Sequence, residues 1–298
     1  MTIYSRDFQD SQIREYLRSF YSSQGSIESE YLEGASFILE ECKRCGLVYQ
    51  KQIPDDFLAK KLYEEWIDPK LAHSRHAKNN LEYYAAHARE VMTIIAYFNV
   101  EPAKLEFLDV GMGWGEWCLM AKAFGCDTCG IELSQTRIEH SKSFGVNVIS
   151  WVDLPDHSFD FINTEQVFEH IPNPLETLQS LKRSLKSQGL IKISVPDGAD
   201  VKRRLRISDW TAPKGTENSL NLVHPLEHIN CYNRSSIIRM AEIAELKEVR
   251  IPIPIQYIYS TMWKPVAPML KNMLRPLYYS LFQKGTYLFF RHMKERPG

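Results

Sequence analysis

The stretch Leu105–Glu116, LEFLDVGMGWGE, decides how the rest of this 298-residue chain is read. Leu105–Val110 is an apolar strand that runs straight into Gly111, Gly113 and Gly115, with a helical segment following near Glu116–Phe124. Three glycines so close together let the backbone turn sharply and let a ligand approach main-chain amides with no Cβ in the way. A dinucleotide fingerprint would carry its third glycine at position 116. That position is Glu116, a carboxylate where a pyrophosphate would sit on a helix N-terminus. The like charge argues against NAD or FAD.

Working outward, apolar strands alternate with helical segments. TCGIEL, a helix from Gln135, VNVIS, FDFINT, a helix from Pro174 and GLIKISV follow in order. Such alternation predicts βαβ units and a parallel sheet. LKEVRIPI and TYLFFRH read as two further strands. Upstream, Leu81–Phe98 has apolar residues at helical spacing, and Asp55–Trp66 begins a helix after Pro54. Ser36–Gln50 reads as two short strands around a turn holding Cys42-x-x-Cys45-Gly46.

The loop Asp109-x-Gly111-x-Gly113-x-Gly115 resembles the first motif of class I S-adenosylmethionine-dependent methyltransferases, whose ligand carries an ammonium and a sulfonium. LPDHSFDFINTEQVFEHIPNP, 154–174, is similar to the segment around that family's fourth strand, and GLIKISVP, 189–196, to its fifth. LEHINCY, 226–232, with the helix after it, is similar to the stretch that follows. The resemblance covers roughly residues 81–292, with the motifs in the family's order. It implies an α/β fold with a Rossmann-like, mostly parallel seven-stranded sheet carrying helices on both faces, and S-adenosylmethionine as cofactor. Residues 81–298 would form that domain, after an N-terminal extension, 1–80. Cofactor contacts are expected from Asp109, Gly111, Met112, Gly113 and Gly115 in the loop, and from Glu132 and Leu133 after the second strand. Trp151, Asn163, Thr164 and Glu165 complete the expected set. Glu132 can accept both ribose hydroxyls; its structural alternative is a charge at the N-terminus of the next helix. Trp114, between two of the glycines, is not expected to be fully buried without narrowing the cofactor site.

RCGLVYQ and the helix after it resemble a subgroup with a small zinc ribbon ahead of the methyltransferase domain. A ribbon needs two Cys pairs. Only Cys42 and Cys45 stand here, with no Cys or His before them. Cys126 and Cys129 fall in a strand where small apolar residues serve, so the ribbon is read as degenerate and metal-free.

Methyl transfer from a sulfonium chiefly requires a near-attack geometry, with a base where the acceptor is a weak acid. His170, after the fourth strand, and His228, after the fifth, are the candidate catalytic residues; each has a structural alternative. Related enzymes that bind a divalent ion carry E-x-x-E-H here. This chain has Gln166-Val-Phe-Glu169-His170, and an amide is a poorer ligand than a carboxylate for a hard dication, so no metal is assigned.

Composition is that of an ordinary globular chain, 44% apolar and 24% charged. No apolar run reaches the roughly 18 residues of a membrane span. The charged start, MTIYSRDFQDSQIREYL, has no signal-peptide stretch, and six cysteines suit a reducing compartment; the expected location is cytoplasmic. The net charge of −1 conceals an asymmetry. From Val249 to Lys294 there are seven basic residues and no Asp or Glu, which leaves −8 elsewhere. With the run Lys202-Arg203-Arg204-x-Arg206 in the loop after the fifth strand, this suggests an anionic acceptor: a sugar, nucleotide-sugar or lipid-linked intermediate. Residues 255–284 form a cationic aromatic insertion in which Pro265, Pro268 and Pro276 argue against one long straight helix. The insertion fits a lid or a homodimer interface, and less well a peripheral membrane contact. No RNA-binding motif is present. Three alternatives to the enzyme stay open: a cofactor-binding scaffold without catalysis, an NAD oxidoreductase, and a metal-dependent nucleic-acid methyltransferase.

Overall fold

The computed structural model describes residues 1–22, 25–68, 79–257, 266–282 and 285–292. The chain divides into two compact units. Segments 166–174 and 195–239 group with the N-terminal residues, while 79–165, 175–194 and the residues from 240 onward form the other unit. The N-terminal extension of the sequence reading thus acquires two later segments.

In the first unit, β1 (Thr2–Asp7), β2 (Ser36–Glu41), β3 (Val48–Gln50) and β9 (Asn230–Cys231) form an antiparallel sheet in that order. Helix α1 (Ser11–Tyr21) starts where the Asp10 carboxylate accepts from the Gln12 and Ile13 amides, satisfying donors that a helix start leaves open. It buries Ile13, Leu17 and Tyr21 in a core shared with Phe37, Leu39 and Trp210. The turn between β2 and β3 is the expected Cys42–Gly46 turn, closed by Gly46 N–H donating to Cys42 C=O at 2.9 Å. The helix expected at 55–66 is α2 (Asp56–Lys60) continued by a π-helical turn, Lys61–Trp66. The basic run, read from sequence as a loop, lies on helix α7 (Val201–Ile207).

The second unit holds the seven-stranded sheet, ordered β10 (Leu246–Val249), β11 (Tyr287–His292), β8 (Leu185–Ser194), β7 (Phe159–Glu165), β4 (Glu106–Val110), β5 (Asp127–Ile131) and β6 (Asn147–Val148). Strands β8, β7, β4, β5 and β6 run parallel, while β11 is antiparallel to both of its neighbours. This is the Rossmann-like arrangement expected. Phe107, Phe161 and Leu190 are wholly buried on it, as near-continuous apolar runs require in a sheet covered on both faces. Helix α3 (Leu81–Phe98) has the predicted bounds. Asn80 caps its start through the Tyr83 amide, and Asn99 ends it in the left-handed conformation. Helices α4 (Glu116–Ala123), α5 (Gln135–Ser143) and α6 (Pro174–Arg183) follow their strands as read, and α8 (Arg234–Ile243) matches the segment after LEHINCY. Of the 255–284 insertion, 258–265 and 283–284 lie outside the described residues; the rest gives α9 (Ile253–Tyr257) and α10 (Val266–Phe282). Pro276 sits inside α10 instead of ending it.

Candidate functional site

The carboxyl ends of β4, β5 and β7 bring together most of the residues expected at the glycine loop. Gly111, Gly113 and Gly115 all have positive φ, and the Gly111 and Met112 amides both donate to Ile131 C=O, at 2.8 and 3.1 Å. Gly115 caps α4 at φ +83°, where a Cβ would lie 2.9 Å from Ser141 Oγ, so no other residue fits without displacing α5. The Glu132 carboxylate ties the loop to β5. One oxygen accepts from Gly113 N–H at 3.0 Å, the other from the Leu133 and Ser134 amides at 2.9 and 3.0 Å. Part of the structural alternative for Glu132 is therefore realised, yet a carboxylate has about four lone-pair sites and keeps capacity for a hydroxyl. Leu133 beside it is 82% exposed.

Other expected positions are placed differently. Asp109 is buried and accepts from Asn163 Nδ2 at 2.7 Å, across the paired strands β4 and β7. Burial pushes its carboxyl up to about 7, against the Asn163 amide and Lys192, which favour the charge. Thr164 is fully buried and donates to Lys192 C=O at 2.7 Å. Its hydroxyl is part of the sheet. Met112 packs inward with Cys118 and Val146, and its backbone is engaged within the loop, N–H donating to Ile131 C=O and C=O accepting from Gly115 N–H. Trp114 is 4% exposed, under the Arg137 guanidinium and edge-on to His140. The expectation that it stays open is corrected: the indole turns to α5 rather than into the loop. Trp151 is half-buried in the turn before Leu154. Glu165 accepts from Ser194 Oγ at 3.0 Å and pairs with Lys192 at 2.8 Å.

Lys192 and its partners escaped the sequence reading. The ammonium, on β8, is buried between Glu165 and Glu90, 2.7 Å from the latter; Tyr287 Oη and Trp117 Nε1 also donate to Glu90, at 2.5 and 3.0 Å. Burial opposes both charges. Their pairing nevertheless holds the Glu90 carboxyl below its usual range and the Lys192 ammonium above its own. A lysine in the middle of GLIKISV is the signal that could have been followed, since a charge inside an apolar strand must be paired.

The two candidate catalytic histidines meet in the first unit. His170 and His228 stand edge to face with ring centres 4.9 Å apart. His170 Nδ1 lies 2.8 Å from Glu227 C=O, so this nitrogen carries the proton, and Nε2 lies 3.9 Å from Glu169. Gln50, also missed, donates to the His224 and His228 carbonyls at 2.9 and 3.1 Å. His224, in the same LVHPLEH stretch, is fully buried, and its Nδ1 accepts from the Leu226 and Glu227 amides. Burial, with His170 and Lys214 nearby, pushes His228 down to about 3 and His224 well below the ordinary imidazole range; both are neutral at pH 7. The Nε2 of His224, the Nδ1 of His228 and the Tyr16 hydroxyl are buried without a hydrogen-bond partner among the described residues. One ligand atom each from Glu169, His170 and His228 lies within 4.8 Å of the others. This donor set, two imidazoles and a carboxylate, suits a borderline dication. Gln166, at the head of the segment, holds φ +55°, a left-handed strain for a residue with a Cβ.

The arginines expected to meet an anionic acceptor are largely engaged at home. Arg203 pairs with Asp200 and Glu217, Arg204 with Asp200, and Lys202 with Glu41. Cys126 and Cys129 are buried in or beside β5 as free thiols, pushed up to about 11 and about 12 by burial. Both lie among the buried apolar side chains of the sheet.

Residues 71–250 match the profile of the methyltransferase-domain family. A ubiquinone biosynthesis O-methyltransferase of Glaesserella parasuis serovar 5 is 30% identical over 156 residues, 45% of this chain and 66% of that protein. Another, from Bartonella quintana, is 26% identical over 168 residues, 49% of this chain and 68% of that protein. The match thus spans about two thirds of these relatives' length. The solved plantazolicin methyltransferase BpumL, in complex with SAH, shares 17% identity with a TM-score of 0.46, over 78% of this chain and 91% of that one. No helix among the described residues is long and apolar enough to cross a membrane.

Proposed function

We propose, on the premise that this chain belongs to the class I S-adenosylmethionine-dependent methyltransferases, that it moves the sulfonium methyl to a hydroxyl oxygen of a small or lipid-linked acceptor. The observation that carries the reading is the Glu132 carboxylate bonded to the Gly113 amide. It fixes the glycine loop against the residue suited to accept ribose hydroxyls. Glu132 would hold the nucleoside, with Leu133 and Trp151 as apolar surfaces for its base and Asn163 and Glu165 toward the methionine end. The relatives' identity as O-methyltransferases of ubiquinone biosynthesis favours oxygen as the accepting atom.

The same reading gives His170 the proton of the acceptor hydroxyl. Its tautomer is set by Glu227 C=O, which puts the ring's acceptor lone pair on Nε2. Nucleophilic oxygen forms the new C–O bond, the S–CH3 bond breaks toward sulfur, and the hydroxyl proton passes to the imidazole. His228, neutral because buried, can orient the acceptor by hydrogen bonding but is a poor base. The cation excess of 249–294 supports an anionic acceptor, whereas the paired arginines of α7 withdraw their support. A second reading rests on the ligand-competent Glu169, His170 and His228, which would hold a divalent ion able to orient two neighbouring acceptor oxygens.

Calorimetric titration of the whole protein with S-adenosylmethionine and S-adenosylhomocysteine is expected to give micromolar binding, weakened at least about tenfold in Glu132→Ala. Folded protein that binds neither would overturn the enzyme and the cofactor-binding scaffold together. Methyl transfer to a hydroxyl acceptor that survives exhaustive chelation would remove the metal reading alone.

A further inference from the structure

The helix α10 is turned inside out. Among its described side chains, the less exposed residues are Asn272, Pro276 and Ser280, a stripe at i, i+4 and i+8 with no large apolar side chain. The apolar residues face outward instead. Leu270, Met273, Leu274, Leu277 and Leu281 share one side of the helix at helical spacing and are all exposed, Leu274 by 58% and Leu281 by 72%. Tyr278 and Phe282 extend this side, and between them on the helix surface lie Lys271 and Arg275. A helix that packed only on its own protein would bury the leucines and expose the asparagine and serine. A contiguous apolar surface of this kind on a soluble domain marks a place where something docks.

Charge selects the occupant. Residues 249–294 carry seven basic and no acidic side chains, while the remainder of the chain is net negative. A second copy would bring the same cations against these, and like charges facing each other oppose the contact. An anionic bilayer surface complements both features: leucines enter the acyl boundary, tyrosines sit at headgroup level, and Lys271 and Arg275 reach lipid phosphates. Its length, 17 residues with Pro276 inside, suits lying in the interface rather than spanning it.

We infer that α10 docks the protein on anionic lipid bilayers with its Leu270–Leu281 face in the interface. This goes beyond the methyltransferase reading and does not depend on it. The test is co-sedimentation of the full chain with vesicles of phosphatidylcholine containing about one third phosphatidylglycerol, against vesicles of phosphatidylcholine alone. Binding is expected to the anionic vesicles and to fall at least about tenfold in Leu277→Glu/Leu281→Glu. Lys271→Gln/Arg275→Gln, or salt near 1 M, which shortens screening to about 3 Å, is expected to weaken it severalfold. Circular dichroism and S-adenosylhomocysteine binding report whether each variant is folded, since none of these side chains is placed at the glycine loop. Equal binding to neutral vesicles, or binding that the folded leucine variant retains, would overturn the inference. So would the absence of vesicle binding in a protein that light scattering shows to be a dimer, with the leucine variant monomeric; α10 would then be a self-association face.

Discussion

Two polar clusters are buried in this protein, and they are built on opposite terms. Around Lys192 each charge has a counter-charge or a donor: Glu90 takes the ammonium, the Tyr287 hydroxyl and the Trp117 indole, and Glu165 takes the ammonium and Ser194. Around His224 and His228, one ring nitrogen of each and the Tyr16 hydroxyl are buried without a partner among the described residues. Leaving a polar group buried and unpaired costs roughly 1–3 kcal/mol. A closed network therefore contributes to holding a sheet in register, whereas an open one keeps hydrogen-bonding capacity for a ligand.

That contrast is broken most sharply by exchanging one residue in each. His170→Gln keeps size and polarity but cannot take a proton. We expect kcat to fall about 10²- to 10⁴-fold, the usual worth of a positioned base, with a denaturation midpoint close to that of the parent. A methyl-transfer rate within about threefold of the parent would show that the histidine is structural. Lys192→Met is expected to behave inversely, losing about 3–5 kcal/mol in urea unfolding, because Glu90 would be left buried without its counter-charge. A loss below about 1 kcal/mol would mean that the network relaxes into water.

The clusters also differ toward acid. His228 and His224 are held neutral in the folded state, below an unfolded value near 6.5. A base with a depressed folded pKa lends stability that is fully present above the unfolded value. That stability is lost as pH falls toward the folded value, which is about 3 for His228. Between pH 8 and pH 5 His228 should therefore cost about 2 kcal/mol of unfolding free energy, with His224 acting in the same direction. Urea titrations at the two pH values measure it. Identical midpoints would mean that the imidazoles are solvated, and the cluster would lose its claim to be open and dry.

How much of this was legible follows the range of the interactions. The seven strands of the larger sheet, the bounds of α3 and the Cys42–Gly46 turn follow from local periodicity, caps and glycine, all written within a few residues. The glycine loop and Glu132 were readable for the same reason. The partners of Lys192 were not, because Glu90, Glu165 and Tyr287 lie far apart in the chain and meet only through the order of the strands. The inward turn of Trp114, the pairing of Arg203 and Arg204 with Asp200, and the outward leucines of α10 were illegible too. In each case the residue type permits two orientations, and tertiary packing chooses.

The smallest predicted effect tests a contact that joins loop to sheet. A Cβ on Gly130, in β5, would lie 2.1 Å from Met112 Sδ and 3.1 Å from its Cβ, so the side chain cannot evade it by moving its tip alone. Met112 stands between Gly111 and Gly113, and its amide donates to Ile131 C=O at 3.1 Å. Gly130→Ala should therefore cost about 1–3 kcal/mol, as overpacking does, and should weaken S-adenosylhomocysteine binding by displacing the loop. Adding Met112→Ala empties the space that the new methyl needs. The double variant is expected to recover most of the affinity lost in Gly130→Ala, giving a coupling energy of about 0.5–3 kcal/mol. Strict additivity of the two losses would show that Gly130 is required for strand geometry rather than to seat the methionine. The loop and the sheet would then be independent at this position.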